Sequence, residues 1–179
     1  MSTTAPAPPS RSRLRPQQRD RTRPTWLPVW SKPAAMRAVR ATVVVPGLFA
    51  LTYEVVGDLQ LATFTAFGGF ATLVMASFGG RRRDKLLAHL GLAVASSLLL
   101  VIGTAVSPSP VLATLITIPV VFGVLFAGIA GPNAASASTA ALLAYVLPAT
   151  SSAAMSTIPA RLEGWWLASI VGTAAVLLF

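Results

Sequence analysis

Apolar residues run in long, nearly uncharged stretches through most of the chain, and short breaks rich in glycine, proline or charged residues separate them. A helix needs about 20 residues to cross a hydrocarbon core of roughly 30 Å, and a backbone in lipid must satisfy its own hydrogen bonds. The pattern therefore predicts an all-α, polytopic transmembrane helix bundle of about six spans. The predicted spans are residues 39–56, 59–78, 86–106, 111–130, 134–150 and 162–179.

The last two predicted spans differ from the other four. Residues 134–150 are mostly small and only mildly apolar, so this helix is expected to pack among its neighbours. The final stretch is still strongly apolar at Phe179, where the sequence stops. We therefore expect the chain to be a fragment, truncated within its last span. Residues 1–33 mix Pro, Ser, Thr and Arg, and are predicted to form a disordered basic tail before a membrane domain at 34–179.

Composition supports a membrane protein. The chain is 54% hydrophobic and 11% charged, whereas soluble domains have about 25% charged residues. The net charge of +9 would indicate nucleic acid in a soluble protein. Here nine of the 14 Lys and Arg lie between Arg11 and Arg40, four lie between Arg81 and Lys85, and one is Arg161. Because the charge is clustered rather than distributed over a folded polar face, the lipid bilayer is the predicted partner and nucleic acid is not.

The basic run "FGGRRRDKLL", residues 78–87, joins two apolar spans. Lys and Arg in short loops mark the cytoplasmic side of a membrane protein. This rule places the run in the cytoplasm, and the alternation of spans then places the N-terminus there as well. In this topology 13 of the 14 cations are cytoplasmic, and Glu54, Asp58 and Glu163 lie outside.

Four segments resemble the N-terminal membrane half of the fusaric acid resistance (FUSC) family, which includes the aromatic acid exporters. They are "MRAVRATVVVPGLFAL", "ATFTAFGGFATLVMASFGGRRRDKLLAHLGLAVAS", "FAGIAGPNAASASTAALLAYVLP" and "ARLEGWWLASIVGTAAVLL". The resemblance covers roughly residues 34–179. It implies a multi-pass protein of the bacterial plasma membrane, with a second membrane half or a homo-oligomeric copy as partner.

The function that the resemblance implies is efflux of small, aromatic organic acids, with coupling to the proton gradient as the expected energy source. The alternative is a non-transporting membrane scaffold or assembly subunit. The sequence carries no phosphate loop, nucleophile–base pair or pair of catalytic carboxylates, so no enzyme activity is predicted. No cofactor is predicted, and a metal site has no support because the chain has one His and no Cys.

Titratable residues near the predicted spans are candidates for proton coupling. Glu54 and Asp58 are four apart and would share a helix face at the outer end of the first span. They also coincide with a predicted turn, where acids are simply solvated. His89 lies one turn inside the third span and could couple protons, face an anionic substrate, or make an interfacial hydrogen bond.

The remaining candidates concern anion contact and helix packing. Arg81, Arg82, Arg83 and Lys85 set the topology and could contact an anionic substrate or lipid headgroups. Arg40 and Arg161 stand at span ends, where snorkelling is the default, and Arg161 could pair with Glu163. The other residues are Phe64, Phe67 and Phe70, which could stack an aromatic cargo or face lipid, and the small-residue positions Gly123, Ala127 and Gly131, which could pack against another helix.

Overall fold

Local capping signals fix where the helices begin. In the computed structural model, which describes residues 31–178, the Ser31 hydroxyl accepts a hydrogen bond from the Ala34 amide at 3.3 Å, and the first helix begins beside it. The Asp58 carboxylate caps the second helix by accepting from the amides of Gln60 and Leu61 at 2.8 and 3.1 Å. The six helices are α1 (Lys32–Leu51), α2 (Leu59–Phe70), α3 (Arg82–Val106), α4 (Pro110–Ala127), α5 (Pro132–Thr150) and α6 (Ile158–Leu178).

The predicted all-α class is confirmed, since residues 31–178 contain helices and turns but no strand. Three helical stretches are long and apolar enough to cross a membrane, namely Ala34–Val56, Arg82–Val106 and Pro110–Ala130. The apolar stretch Leu59–Met75 is shorter. The length and composition of these helices identify a membrane protein.

The first helix begins earlier than the hydropathy pattern predicts. Lys32 already belongs to α1, so the end of the predicted tail at residues 31–33 is the start of a helix. The prediction of disorder for residues 1–30 lies outside the described residues, as does Phe179. Helix α1 therefore carries Lys32 as well as Arg37 and Arg40.

Two helices continue into π-helical turns, α1 at Thr52–Val56 and α2 at Ala71–Met75. At each turn a threonine hydroxyl donates back to the preceding turn, Thr52 to the Leu48 carbonyl at 2.7 Å and Thr72 to the Gly68 carbonyl at 2.8 Å. Such back-bonding satisfies carbonyls where the regular hydrogen-bond ladder changes. The predicted second span consequently ends at Met75 rather than at residue 78.

Helix α2 packs against α6, and α3 packs against α5. Their shared core contains the buried side chains of Phe64, Leu100, Tyr145 and Trp165. Helix α4 has no buried residue and turns large apolar side chains outward. In a membrane, lipid can cover such a face, so the apolar exterior of α4 fits a lipid-facing position.

Glycines permit the close contacts between helices. A Cβ on Gly164 of α6 would collide with the Leu61 carbonyl oxygen of α2, and a Cβ on Gly103 of α3 would lie 2.5 Å from the Tyr145 carbonyl oxygen of α5. The predicted packing positions Gly123, Ala127 and Gly131 do not behave in this way. Gly123 and Ala127 are exposed and a Cβ on Gly123 meets nothing within 4 Å, while Gly131 lies beyond the end of α4 with φ +152°. These three residues therefore do not form a packing surface within the described part of the chain, and contact with another chain stays a prediction.

Short turns reverse the chain between consecutive helices, so the helix ends lie at two ends of the bundle. We call the end with the first turns of α1 and α3 the basic end, and the other the opposite end. The basic end holds seven of the eight Lys and Arg within residues 31–178. These seven are Lys32, Arg37, Arg40, Arg81, Arg82, Arg83 and Lys85.

The glycine contact between α2 and α6 can be tested by Gly164→Ala. The added methyl must push backbone against backbone, so we expect the free energy of unfolding to fall by about 1–3 kcal/mol. Gly123→Ala is the matched control, because its methyl enters open space. Thermal unfolding in detergent, followed by tryptophan fluorescence, measures both. Equal stability of the two variants would contradict this packing.

Candidate functional site

A cavity of about 430 Å³ opens at the basic end between α1, the end of α2, α3 and α6. Four cationic side chains and one histidine contribute to its lining, together with Ser77 and apolar groups such as Phe78. The charged and titratable residues are Lys32, Arg37 and Arg40 from α1, and Lys85 and His89 from α3. We call this space the basic cavity.

The arginines of the basic cavity bond to neutral oxygen atoms. Arg37 Nη1 donates to the Ser77 hydroxyl at 3.3 Å, and Arg40 donates to the carbonyl oxygens of Met36 at 3.3 Å and Ala175 at 3.4 Å. No carboxylate of residues 31–178 lines the cavity. Clustered charge of one sign in a cleft with apolar walls focuses its field and concentrates counter-ions. The cavity is therefore suited to an anion.

The acid nearest in sequence to these cations has another role. The Asp84 carboxylate accepts a hydrogen bond from the Arg81 amide at 3.0 Å, and so caps the first turn of α3. Arg81, Arg82 and Arg83 are exposed and do not line the basic cavity, whereas the half-buried Lys85 does. Of the four predicted anion contacts in the basic run, the structure brings only Lys85 to the site.

His89 is the buried polar group of the basic cavity, with 3% of its surface exposed. Its Nδ1 lies 2.8 Å from the Lys85 carbonyl oxygen, an arrangement that places the hydrogen on Nδ1. Its Nε2 is buried and has no partner among the described residues. The edge-on ring of Phe78, at 4.7 Å between centroids, holds the imidazole in place. An anion or a water molecule could satisfy Nε2.

Glu54 and Asp58 do not share a helix face, which corrects the arrangement expected from their spacing. Glu54 lies in the π-helical turn after α1 and is exposed. Gly57, with φ +72°, breaks the helix between them, and Asp58 caps α2. Both acids therefore belong to the turn between α1 and α2, and a role in proton coupling stays a prediction.

Arg161 lies in the first turns of α6 at the opposite end and is completely buried. Its Nε donates to Gln60 Oε1 and its Nη1 to Thr104 Oγ1, both at 3.0 Å. Its Nη2 donates to Ser151 Oγ at 3.2 Å and to the Ser151 carbonyl at 3.4 Å. The guanidinium carbon also lies 4.8 Å from the centre of the Phe64 ring, within range of a cation–π interaction.

Arg161 does not snorkel toward the membrane surface, and it does not pair with Glu163. Glu163 is exposed, and every hydrogen-bond acceptor of the guanidinium is neutral. Helix C-termini carry partial negative charge, and Thr104 and Ser151 lie at the C-terminal ends of α3 and α5. These two helix ends compensate the buried charge, so the contacts of Arg161 support a structural role rather than contact with substrate.

Phe64, Phe67 and Phe70 do not form one aromatic surface. A spacing of three residues rotates successive side chains around a helix, and only Phe64 turns into the core. Phe67 and Phe70 remain 37% and 39% exposed. The stacking surface expected from these three residues is therefore not present.

Lys32 and Arg37 line the basic cavity but are not among the site residues predicted from the sequence, where Lys32 falls in the predicted tail and Arg37 in the segment "MRAVRATVVVPGLFAL". A signal for them exists in the sequence. Ser31 precedes a proline at residue 33, and a Ser followed by an early proline is a typical helix start. This signal would have placed Arg37 and Arg40 on one helix, three residues apart, and so on neighbouring positions of its surface.

The chemistry of the site is inferred from these residues alone. No protein-family model matches the chain, and no curated protein or solved structure is significantly similar to it. The resemblance to the FUSC family stays a prediction. Within residues 31–178, no group of His, Asp and Glu is placed to hold a metal ion.

The role of Arg161 can be tested by Arg161→Ala. The change leaves a cavity and removes the partner of Gln60, Thr104 and Ser151, so we expect the free energy of unfolding to fall by about 3 kcal/mol. Arg161→Lys should recover only part of this loss, because one ammonium cannot replace a guanidinium fork. Arg82→Ala, an exposed arginine, is the control and should change stability by no more than about 0.5 kcal/mol. Equal stability of Arg161→Ala and Arg82→Ala in detergent would refute the structural role.

Proposed function

We propose that this chain is the membrane half of an efflux transporter that moves small organic acid anions, including aromatic ones. The observation that carries the proposal is the basic cavity, which four cations and His89 line without a carboxylate of residues 31–178. A cavity of about 430 Å³ lies within the range of roughly 300–1,000 Å³ typical of small-molecule sites.

Carboxylates are the anions that best fit this lining. An arginine binds a carboxylate through two parallel hydrogen bonds, and Arg37 and Arg40 both line the cavity. Lys85 adds a compact positive charge, and Phe78 offers an aromatic edge beside His89. One carboxylate with a small ring can therefore meet charge and apolar surface together.

The direction of transport follows from the proposed orientation. Cationic loops stay in the cytoplasm, and the basic end holds all the described Lys and Arg except Arg161. The basic cavity then opens to the cytoplasm, where an exporter must capture its cargo. The N-terminus is cytoplasmic in this orientation, in the plasma membrane of a bacterium as the FUSC resemblance implies.

His89 is the proposed link to the proton gradient. A neutral imidazole accepts a hydrogen bond at Nε2, whereas a protonated one donates there and attracts an anion. A second membrane half, or a second copy of this chain, is the partner that the FUSC resemblance adds. Six membrane crossings are part of this proposal.

A non-transporting scaffold or assembly subunit is the second candidate. It is favoured by α4, whose outward face carries Leu115, Ile118, Phe122 and Leu125 at 53–68% exposure. Such a face could bind a partner helix instead of lipid. A scaffold role does not explain why four cations line the basic cavity.

Transport can be measured in everted membrane vesicles with a radiolabelled benzoate. We expect saturable uptake that increases when a pH gradient is imposed. Arg40→Gln should raise the half-saturation concentration about fivefold, because a cation near a membrane surface attracts an anion by roughly 1 kcal/mol. His89→Gln should abolish the response to the pH gradient.

Arg82→Gln is the matched control, since Arg82 is exposed and lies outside the basic cavity. It should transport like the unmodified protein. The absence of saturable uptake of any aromatic acid, with or without a pH gradient, would count against the exporter and favour the scaffold.

The orientation can be tested with single cysteines, because the natural chain has none. Arg82→Cys and Glu54→Cys introduce thiols at exposed positions of the basic end and the opposite end. In intact cells, an impermeant maleimide should label residue 54 and leave residue 82 unlabelled until the cells are opened. Labelling of residue 82 from outside would reverse the proposed orientation.

A further inference from the structure

An apolar groove of about 300 Å³ lies between α3 and α6, next to the basic cavity. Its walls are mostly aliphatic, and Trp166 contributes an aromatic ring. His89 lines both the groove and the basic cavity, so its side chain belongs to the wall that the two spaces share. Representative lining residues of the groove are Leu86, Leu90, Trp166, Ile170, Ala174 and Leu177.

The groove has the length of one lipid leaflet. Along α6 it runs from Trp166 to Leu177, which is roughly 16 Å at about 1.5 Å per helical residue. The hydrocarbon core of a bilayer is about 30 Å thick, so one leaflet contributes roughly half of that depth. Leu177 and Leu86 lie near the basic end and Trp166 lies deeper. The groove therefore follows the path of an acyl chain that starts at the membrane surface of the basic end.

We infer that the groove and the basic cavity form one site for a single-chain amphipathic carboxylate, such as a fatty acid, taken from the leaflet at the basic end. The carboxylate lies among Arg37, Arg40 and Lys85, and the alkyl chain lies in the groove between α3 and α6. His89 lies beside both parts of the site. This inference uses the basic cavity of the proposed function, but binding of the amphiphile requires no transport.

Charge complementarity selects this occupant over zwitterionic phospholipid. A zwitterionic phospholipid could place a chain in the groove but brings no net charge to the four cations. A short aromatic acid could satisfy the cations but leaves most of the groove empty. An amphipathic carboxylate satisfies both parts, since burial of each additional CH₂ adds favourable free energy.

Quenching of Trp166 fluorescence tests the inference directly. The full chain is placed in nanodiscs of zwitterionic phosphatidylcholine and titrated with a fatty acid brominated near the middle of its chain. We expect saturable quenching, and Trp166→Phe should lose that saturable component. Brominated phosphatidylcholine at the same bromine density should quench without saturation.

Three variants test the contributions of the basic cavity and of the groove separately. Arg40→Gln should weaken binding about fivefold through the lost charge. Ala174→Phe should abolish the saturable quenching by filling the groove at an exposed position. Arg83→Gln, an exposed cation outside the basic cavity, should bind like the unmodified chain. Circular dichroism and size-exclusion chromatography establish that each variant is folded.

Quenching that does not saturate, or that is unchanged in both Arg40→Gln and Ala174→Phe while these variants are folded, would overturn the inference. Equal saturable quenching by the brominated phosphatidylcholine would overturn it as well, because the site would then hold bulk lipid. Saturable transport of benzoate without saturable quenching would overturn this inference alone. Saturable quenching without transport of any organic acid would overturn the proposed function and support the inference.

Discussion

The buried guanidinium of Arg161 is the interaction on which the bundle depends. It joins the start of α2, the end of α3, the residue that follows α5 and the first turns of α6 through hydrogen bonds of 3.0–3.4 Å. A buried cation is costly unless its donors are satisfied, and here neutral oxygens of Gln60, Thr104 and Ser151 satisfy them in place of a carboxylate. This arrangement fixes the relative depth of four helices at the opposite end, and glycines keep α2 and α6 in contact below it.

The charged side chains of the basic end are arranged differently from Arg161 at the opposite end. Its cations come from the first turns of α1 and α3, and the one acid nearby in sequence, Asp84, is engaged in capping α3. Lys32, Arg37, Arg40 and Lys85 consequently line a cavity without a carboxylate of residues 31–178 to neutralise them. Charged side chains therefore have different effects at the two ends of the bundle. Buried charge stabilises the fold at the opposite end, and unneutralised charge is free to attract an anion at the basic end.

Hydropathy was sufficient for the all-α class and for the approximate position of each helix, because the cost of exposing a polar backbone to lipid dictates long apolar helices. It could not reveal contacts between helices. The spacing of Glu54 and Asp58 suggested a shared face, but one glycine with positive φ separates them. Likewise, Arg161 was placed beside Glu163 by sequence proximity, whereas its partners lie 101, 57 and 10 residues away. His89 and Arg40 were recognised singly, and only the packing of α1, α3 and α6 brings them to one cavity.

The central claim is that the basic cavity binds an organic carboxylate. The most direct measurement is an anomalous-diffraction map of crystals grown with iodobenzoate, because iodine reports the position of the ring without ambiguity. We expect an iodine peak within the basic cavity, with the carboxylate between Arg40 and His89. An iodine position elsewhere in the bundle, or an empty basic cavity at saturating iodobenzoate, would contradict the account.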